Sequence, residues 1–211
     1  MADRASCSQK KGGTGSNFGV CYSATKDNQK AFVKAVDFRR AFASDDLLSA
    51  VIQCAKEASW EKSVLEFCGQ HGLSKIVRLI DHEYVLLNQF SGDDTKRVSC
   101  LLMEVGDGDL RGELDLNAAR PFSWILYVMR DVTLAIDQLH RKGIAHLDVK
   151  PSNVISMNSS SNKPSPMKLG DLGRVVRKGI DGPFDNSPWP GDRNYQPPEK
   201  WYGFTSSQWN D

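Results

Sequence analysis

The octet His146-Leu147-Asp148-Val149-Lys150-Pro151-Ser152-Asn153 gathers a carboxylate, an ammonium and a carboxamide in one tight loop. Together these groups could perform phosphoryl transfer, in which a protein does little covalent chemistry and works by positioning a nucleophile and neutralising charge on the transferred group. Asp148 could accept the proton of an acceptor hydroxyl, Lys150 could reach a γ-phosphate, and Asn153 could bind magnesium. The same residues also fit an ordinary capped turn, because Asp stabilises turns and helix starts without any catalysis. Their meaning depends on what accompanies them.

A second acidic motif follows in Lys168-Leu169-Gly170-Asp171-Leu172-Gly173, a short strand ending in Asp-Leu-Gly. Asp171 could bind the magnesium that bridges β- and γ-phosphates, and Gly173 permits the turn that follows. On the N-terminal side Lys34, in Phe32-Val33-Lys34, could bind α- and β-phosphates if a carboxylate holds it in line. Glu61 on the next predicted helix is the preferred partner, with Glu57 and Glu66 as competitors at similar offsets. Before this strand, Gly13-Thr14-Gly15-Ser16-Asn17-Phe18-Gly19-Val20 keeps Gly13, Gly15 and Val20 in a G-x-G-x-x-G-x-V register, with Phe18 at the third glycine position and Gly19 displaced by one. Backbone amides of such a turn could cover phosphates. The glycine loop opens a hairpin and not a helix, which argues against a Walker A loop and a Rossmann fingerprint.

The elements that must position these residues follow from patterning. Residues 1–12 read as a mobile polar lead-in. Val20–Ala24 and Lys30–Val36 read as strands joined by the turn Lys26-Asp27-Asn28. A helix is predicted from Ser44-Asp45-Asp46 to Cys68-Gly69, with Leu47, Leu48, Val51, Ile52 and Ala55 on its apolar face and a similar stripe continuing through Trp60, Val64, Leu65 and Cys68. Ile76–Ile80, Tyr84–Leu87 and Val98–Glu104 complete five strands. Gly106-Asp107-Gly108-Asp109 reads as a linker. Beyond it a long helix starts at Pro121, carries Phe122, Ile125, Leu126, Met129, Val132, Ile136 and Leu139 on one face, and ends at Gly143. Asn153–Met157 and Met167–Gly170 are short strands around a Ser/Asn/Pro-rich insertion, Asn158–Pro166, that reads as disordered.

Composition sets the bounds. The chain has 211 residues, of which 40% are hydrophobic and 25% charged, ordinary values for a soluble globular protein. Its 27 basic and 26 acidic residues give a net charge of +1, so no field favours nucleic acid or an anionic membrane. Cys7, Cys21, Cys54, Cys68 and Cys100 show no metal or disulfide spacing and predict buried thiols in a reducing compartment. No apolar signal region or bilayer-length apolar run occurs.

With Pro197-Pro198-Glu199, these motifs occur in the order that resembles the eukaryotic-type protein kinase family from Gly13 to Glu199. The resemblance implies an α+β, two-lobed protein-kinase-like fold: a small antiparallel β-sheet lobe with one main helix (residues 1–104), then a hinge and an incomplete, mainly helical C-lobe (residues 105–211). It implies ATP and Mg2+ as cofactors and a protein as substrate. It places Met103 at the gatekeeper position, Glu104, Val105 and Gly106 at the adenine-binding hinge, and Leu65, His146 and Leu172 in a spine joining the lobes. Lys150 is the residue that Ser/Thr and dual-specificity kinases use in this loop.

Three passages are similar to monopolar-spindle (Mps-type) kinases. They are Glu61 followed by Gln70-His71, Lys75–Leu79 and Asp81-x-Glu83; Met103-Glu104-x-Gly106-x-x-Asp109-Leu110; and Asn194-Tyr195-x-Pro197-Pro198-Glu199. The first of these supports Glu61 over its competitors. His146–Pro151, Gly170–Gly173 and Gly191-Asp192 resemble Wee/Myt-type kinases instead.

Two departures stand out. Leu147 occupies the place of the Arg that in most kinases pairs with a phosphorylated activation loop, so activity without loop phosphorylation is expected. Only Lys200–Asp211 follow Glu199, where the family continues into further helices, and Trp201, Tyr202, Phe204 and Trp209 lack packing surface. A missing C-terminal segment or a completing partner chain is expected. The location expected is intracellular, in cytoplasm or nucleus, and at the kinetochore only if the spindle-kinase resemblance holds. Two other classes share features: a nucleotide-binding scaffold without transferase activity, and a small-molecule phosphotransferase, the latter disfavoured by Lys150 and Pro197-Pro198-Glu199.

Overall fold

Asp27 and Asn28 both adopt positive φ, 50° and 59°, which closes a two-residue hairpin turn whose twist matches its flanking strands. The computed structural model describes residues 6–9, 19–86, 97–115, 119–157, 165–185, 187 and 191–202. These form two compact units, the first comprising the described residues up to Glu66 together with Arg78–Val105, the second Phe67–Val77 and the described residues from Gly106 onward.

The first unit is built on a five-stranded antiparallel sheet. Its strands are β1 (Ser6–Gln9), β2 (Gly19–Lys26), β3 (Gln29–Val36), β4 (Leu79–Leu86) and β5 (Arg97–Glu104), ordered β1-β2-β3-β5-β4. Strand β1 corrects the expectation of a mobile lead-in. Ser6–Gln9 pair with Thr25–Tyr22 of β2, and backbone pairing of this kind needs no apolar alternation to form. The two strands expected over 76–87 are one strand, β4, with a bulge between Leu79 and Asp81. Leu87 lies outside the described residues.

After the short helix α1 (Arg39–Phe42), helix α2 runs over Leu47–Gln70. Asp46 caps it by accepting from the Ser49 amide at 3.1 Å. Its buried side is Cys54, Glu57, Glu61, Val64, Leu65 and Cys68. The apolar face expected over the first turns is therefore overturned: Leu47, Leu48 and Ile52 are exposed, and two glutamates face inward. Glu61 gains a buried cation in Lys34, a contact that outweighs apolar patterning.

In the second unit, Gly106–Asp109 is more than a linker. β6 (Gly108–Asp109) pairs with β8 (Val154–Ser156), which pairs with β9 (Met167–Leu169). A side chain at Gly106 would overlap Ile155 and meet the Ser156 carbonyl at 2.7 Å, so this crossing requires glycine. Asp109 accepts from the Gly112 amide at 2.8 Å and starts α3 (Leu110–Asp115). Helix α4 (Phe122–His140) follows Pro121 and buries Val128, Asp131, Ala135 and Leu139. Of the predicted apolar face only Leu139 is buried, while Phe122 is 72% and Met129 60% exposed. The buried stripe contains an aspartate that sequence patterning assigns to solvent.

After helix α4 a turn through Gly143, with φ 70°, delivers the chain to β7 (Ile144–Ala145), which pairs with β10 (Val176–Arg177). A short helix α5 (Pro198–Trp201) follows later in the unit. Ile76 and Val77, expected in a sheet of the first unit, flank β9 instead. The Val77 amide donates to Leu169 O at 2.9 Å, and the Leu169 amide donates to Lys75 O at 2.8 Å. Both side chains are buried. Cys21, Cys54, Cys68 and Cys100 are not in disulfides, and burial pushes the Cys68 thiol up to about 12. Among the described residues no helix is long and apolar enough to cross a membrane.

Candidate active site

Strand β3 and helix α2 bring Lys34 and Glu61 together. The Lys34 ammonium donates to both Glu61 oxygens, at 2.7 and 2.8 Å, with the residues 7% and 6% exposed. A buried charge pair of this kind is held by its mutual hydrogen bonds, since either charge alone would be costly to bury. The competitors are engaged elsewhere: Glu57 accepts from Gln53 at 2.8 Å and Glu66 faces Lys62 at 3.7 Å.

The β2–β3 register assigns faces. Cys21 lies opposite Lys34 and Gly19 opposite Val36, while Val20 lies opposite Ala35. Directly opposed residues share a face, so Gly19 and Cys21 share that of Lys34 and Val20 points the other way. A side chain at Gly19 would meet Lys34 Cγ at 2.9 Å. The displaced glycine is thus the one over which the Lys34 stem runs. Gly13 and Gly15 lie outside the described residues.

Met103 is buried in β5, and the Glu104 backbone and side chain both bond Arg78, the amide donating to Arg78 O at 3.0 Å and Oε1 accepting from Arg78 N at 2.7 Å. Val105 and Gly106 follow as half-buried, non-strand backbone.

In the second unit the loop between β7 and β8 is fixed from several sides. His146 is fully buried; its Nε2 donates to Gly170 O at 3.0 Å, while Nδ1 accepts from the Asp148 amide at 3.3 Å. That pattern sets the ring's tautomer and ties the loop to the backbone just before Asp171. The Gly170 amide returns to Asn153 O at 2.8 Å.

Asp148 is buried. Its Oδ2 accepts from Lys150 Nζ at 3.0 Å and Asn153 Nδ2 at 3.2 Å, and its Oδ1 from the Asp192 amide at 2.8 Å. Pro151–Asn153 form one turn of 3-10 helix, closed by the Asn153 amide on Lys150 O at 2.9 Å. Leu147 and Asp171 hold left-handed backbone at φ 62° and 56°. Such strain in non-glycine residues clusters at functional sites.

Asn153 Nδ2 also donates to Asp148 O at 2.8 Å, so its amide oxygen is the atom that could meet a cation. An amide oxygen and the Asp171 carboxylate are hard-oxygen donors of the kind that would suit magnesium, a cation usually held by one or two protein oxygens plus phosphates. Among the described residues no group of three or more His, Cys, Asp or Glu side chains gathers around a metal position.

The strand leading to Asp171 is pinned by Asp131 of α4, which is fully buried. Its carboxylate accepts from Lys75 at 2.7 Å, the Met167 amide at 2.9 Å and Arg130 at 2.8 Å. Burial alone would push this carboxyl up, but the Lys75 ammonium, the Met167 amide and the Arg130 guanidinium together hold it below the usual carboxylate range. Sequence reasoning missed Asp131 and Lys75 as supports, and Gly191-Asp192 as part of the loop's surroundings. For Asp131 the available signal was an acidic residue four positions before Ala135 and eight before Leu139, inside the stripe that packs.

A sheet unit with a buried Lys–Glu pair, and a second unit joining an Asp/Lys/Asn loop to a left-handed Asp-Leu-Gly, define a kinase-type phosphotransferase domain. A family model described as the protein kinase domain matches residues 8–207, and the chain belongs to the protein kinase family. It is 33% identical over 108 residues to serine/threonine-protein kinase ArnS of Sulfolobus acidocaldarius, covering 42% of this chain and 17% of that protein. It is 39% identical over 75 residues to a Wee1-like protein kinase of Arabidopsis thaliana, covering 36% and 13% respectively. Over 57 residues it is 44% identical to MAP kinase-interacting serine/threonine-protein kinase 2 of Xenopus laevis, covering 26% and 12%. The matched stretches thus span less than a fifth of the length of these relatives.

Proposed function

We propose that the chain is an ATP-dependent protein Ser/Thr kinase that transfers the γ-phosphoryl group to a protein hydroxyl. The observation that carries this reading is the Asp148 carboxylate, buried and held by Lys150, Asn153 and a backbone amide in a loop tied to Gly170. Asp148 orients the acceptor hydroxyl and takes its proton as the bond to phosphorus forms. Lys150 stabilises charge on the transferred group, and Asn153 and Asp171 hold magnesium. Magnesium, when bound, neutralises charge on the β- and γ-phosphates. Lys34, fixed by Glu61, binds the α- and β-phosphates, while Met103, Glu104, Val105 and Gly106 meet the adenine, and the turn carrying Gly13 and Gly15 covers the phosphates, with Gly19 and Cys21 rather than Val20 on the face of Lys34. The unit that comprises the described residues up to Glu66 and Arg78–Val105 then acts in nucleotide binding, and the unit of Phe67–Val77 and the residues from Gly106 in phosphoryl transfer and substrate binding.

The names of the relatives above support the Ser/Thr assignment. The Mps-type passages support a finer reading, a dual-specificity kinase of spindle-checkpoint signalling, and phosphoamino-acid analysis of the product tests it: phosphotyrosine beside phosphoserine is expected, and its absence removes dual specificity. Transfer of radiolabelled phosphate to a generic protein acceptor tests the main reading. Asp148→Asn is expected to lower transfer by about 10²- to 10⁴-fold. Thermal stabilisation by ATP with no transfer by the wild type would instead assign a nucleotide-binding scaffold.

A further inference from the structure

We propose that Arg177 and Phe67, backed by His71, form a clamp that positions Asp171 for metal binding, a role that rests on the kinase reading above. Asp171 opens a short segment that is tied to the β7 region at both ends. At the front, Gly170 O accepts from His146, the residue that follows β7. At the back, Val176 and Arg177 of β10 lie opposite Ala145 and Ile144, and the Lys178 amide donates to Gly143 O at 2.8 Å. Between these ties Asp171 holds its left-handed backbone, so the place of its carboxylate depends on both. The rear ladder is only two residues long, and a strand pair that short is marginal by itself.

Side chains on the two faces of β10 complete the tie. Val176 is buried on one face. Arg177, which alternates to the other, lays its guanidinium over the Phe67 ring, 3.7 Å from the centroid. Phe67 belongs to the last turn of α2, and its ring packs against that of His71 at 4.0 Å between centroids. His71 Nδ1 in turn donates to Phe67 O at 2.9 Å, which fixes the imidazole on the same turn.

Among the described residues no carboxylate pairs with Arg177, so the ring is the contact that places its side chain. A cation over an aromatic face gains most when water is kept off it, and Arg177 is half-buried. The neighbouring Cys68 reports the same placement: burial pushes its thiol up, and the Arg177 charge opposes that rise. A leucine at 67 would fill space without offering a π face. A lysine at 177 would keep the charge but lose the planar stack.

The test uses the full 211-residue chain in wild type, Arg177→Ala, Arg177→Lys, Phe67→Leu, Phe67→Tyr and the double variant Arg177→Ala/Phe67→Leu. The probe is Mn2+, titrated in the presence of an unreactive ATP analogue and read by electron paramagnetic resonance. Arg177→Ala and Phe67→Leu are each expected to weaken Mn2+ binding about tenfold and to raise the Mg2+ needed for half-maximal transfer by the same factor, with KM for the protein acceptor within about twofold of wild type. Phe67→Tyr is expected to bind Mn2+ as wild type does, and Arg177→Lys to recover part of the Arg177→Ala loss. The double variant is expected to be no weaker than the worse single one, because both side chains act through one contact. Wild-type Mn2+ affinity in both Arg177→Ala and Phe67→Leu overturns the proposal, as do losses that add in the double variant. Residue-resolved hydrogen exchange supplies a second readout. The Lys178 amide is expected to be protected in wild type and to lose that protection in Arg177→Ala, and full protection in that variant overturns the proposal. Should Arg177→Ala fail to fold, Arg177→Lys and Phe67→Leu carry both comparisons. A wild type that binds Mn2+ but transfers no phosphate sinks the kinase reading, while the Mn2+ titrations still decide the clamp.

Discussion

Leu147 sits at φ 62°, a backbone region that costs a branched side chain of order 1–3 kcal/mol, immediately before the buried Asp148. The strain is met by contacts on either side: His146 on Gly170, and Asp148 on Lys150, Asn153 and Asp192. An uncharged leucine offers no cation to a phosphorylated segment, so the loop's geometry rests on these fixed contacts rather than on an added phosphate. Phosphatase-treated and untreated protein are expected to transfer phosphate at the same rate. Complete loss on treatment would show that another cation has taken over the absent arginine's part.

At the scale of elements, Asp131 of α4 joins Lys75, Arg130 and the Met167 amide, holding together the segment after α2, helix α4 and the start of β9. Its carboxyl titrates lower in the folded protein than in the unfolded chain. It therefore stabilises the fold above the unfolded value, and that contribution is lost as pH falls through the folded one. Asp131→Asn is expected to cost roughly 3 kcal/mol in urea unfolding at neutral pH. The gap from wild type is expected to narrow below pH about 4. A gap that stays constant down to pH 2 would mean that the charge contributes nothing.

The same helices show what was legible in the sequence. The β2–β3 hairpin, α2, α4, and the β8 and β9 strands were readable because turn residues and periodicity mark them locally. Lys34 and Glu61 were readable as a pair only together with the motifs that follow. The buried faces of α2 and α4 were not, because Glu57, Glu61 and Asp131 face inward, and the lysines that hold Glu61 and Asp131, Lys34 and Lys75, lie at distant positions in the chain. A hydrophobicity pattern treats each as a surface residue. The edge strand β1 was hidden for the opposite reason: Ser6–Gln9 join a sheet through backbone groups that carry no side-chain signature.

For the whole molecule, the chain passes between its two units three times, at Glu66/Phe67, Val77/Arg78 and Val105/Gly106. A polypeptide beginning at Gly106 would lack the passage that bonds Leu169 on both its amide and its carbonyl. It would also leave Asp131 without Lys75. Such a fragment is expected to unfold in urea without a cooperative transition, and adding residues 67–77 as a separate peptide is expected to restore one. A sharp transition without the peptide would show that the passage is dispensable.

Residues 67–77 consequently behave as a stitch sewn from one unit's sequence into the other's fabric. A graft that exchanged the sheet unit for a foreign one at the Val105/Gly106 seam would have to bring a compatible stitch with it, one that presents a lysine to Asp131 and a free backbone edge to Leu169.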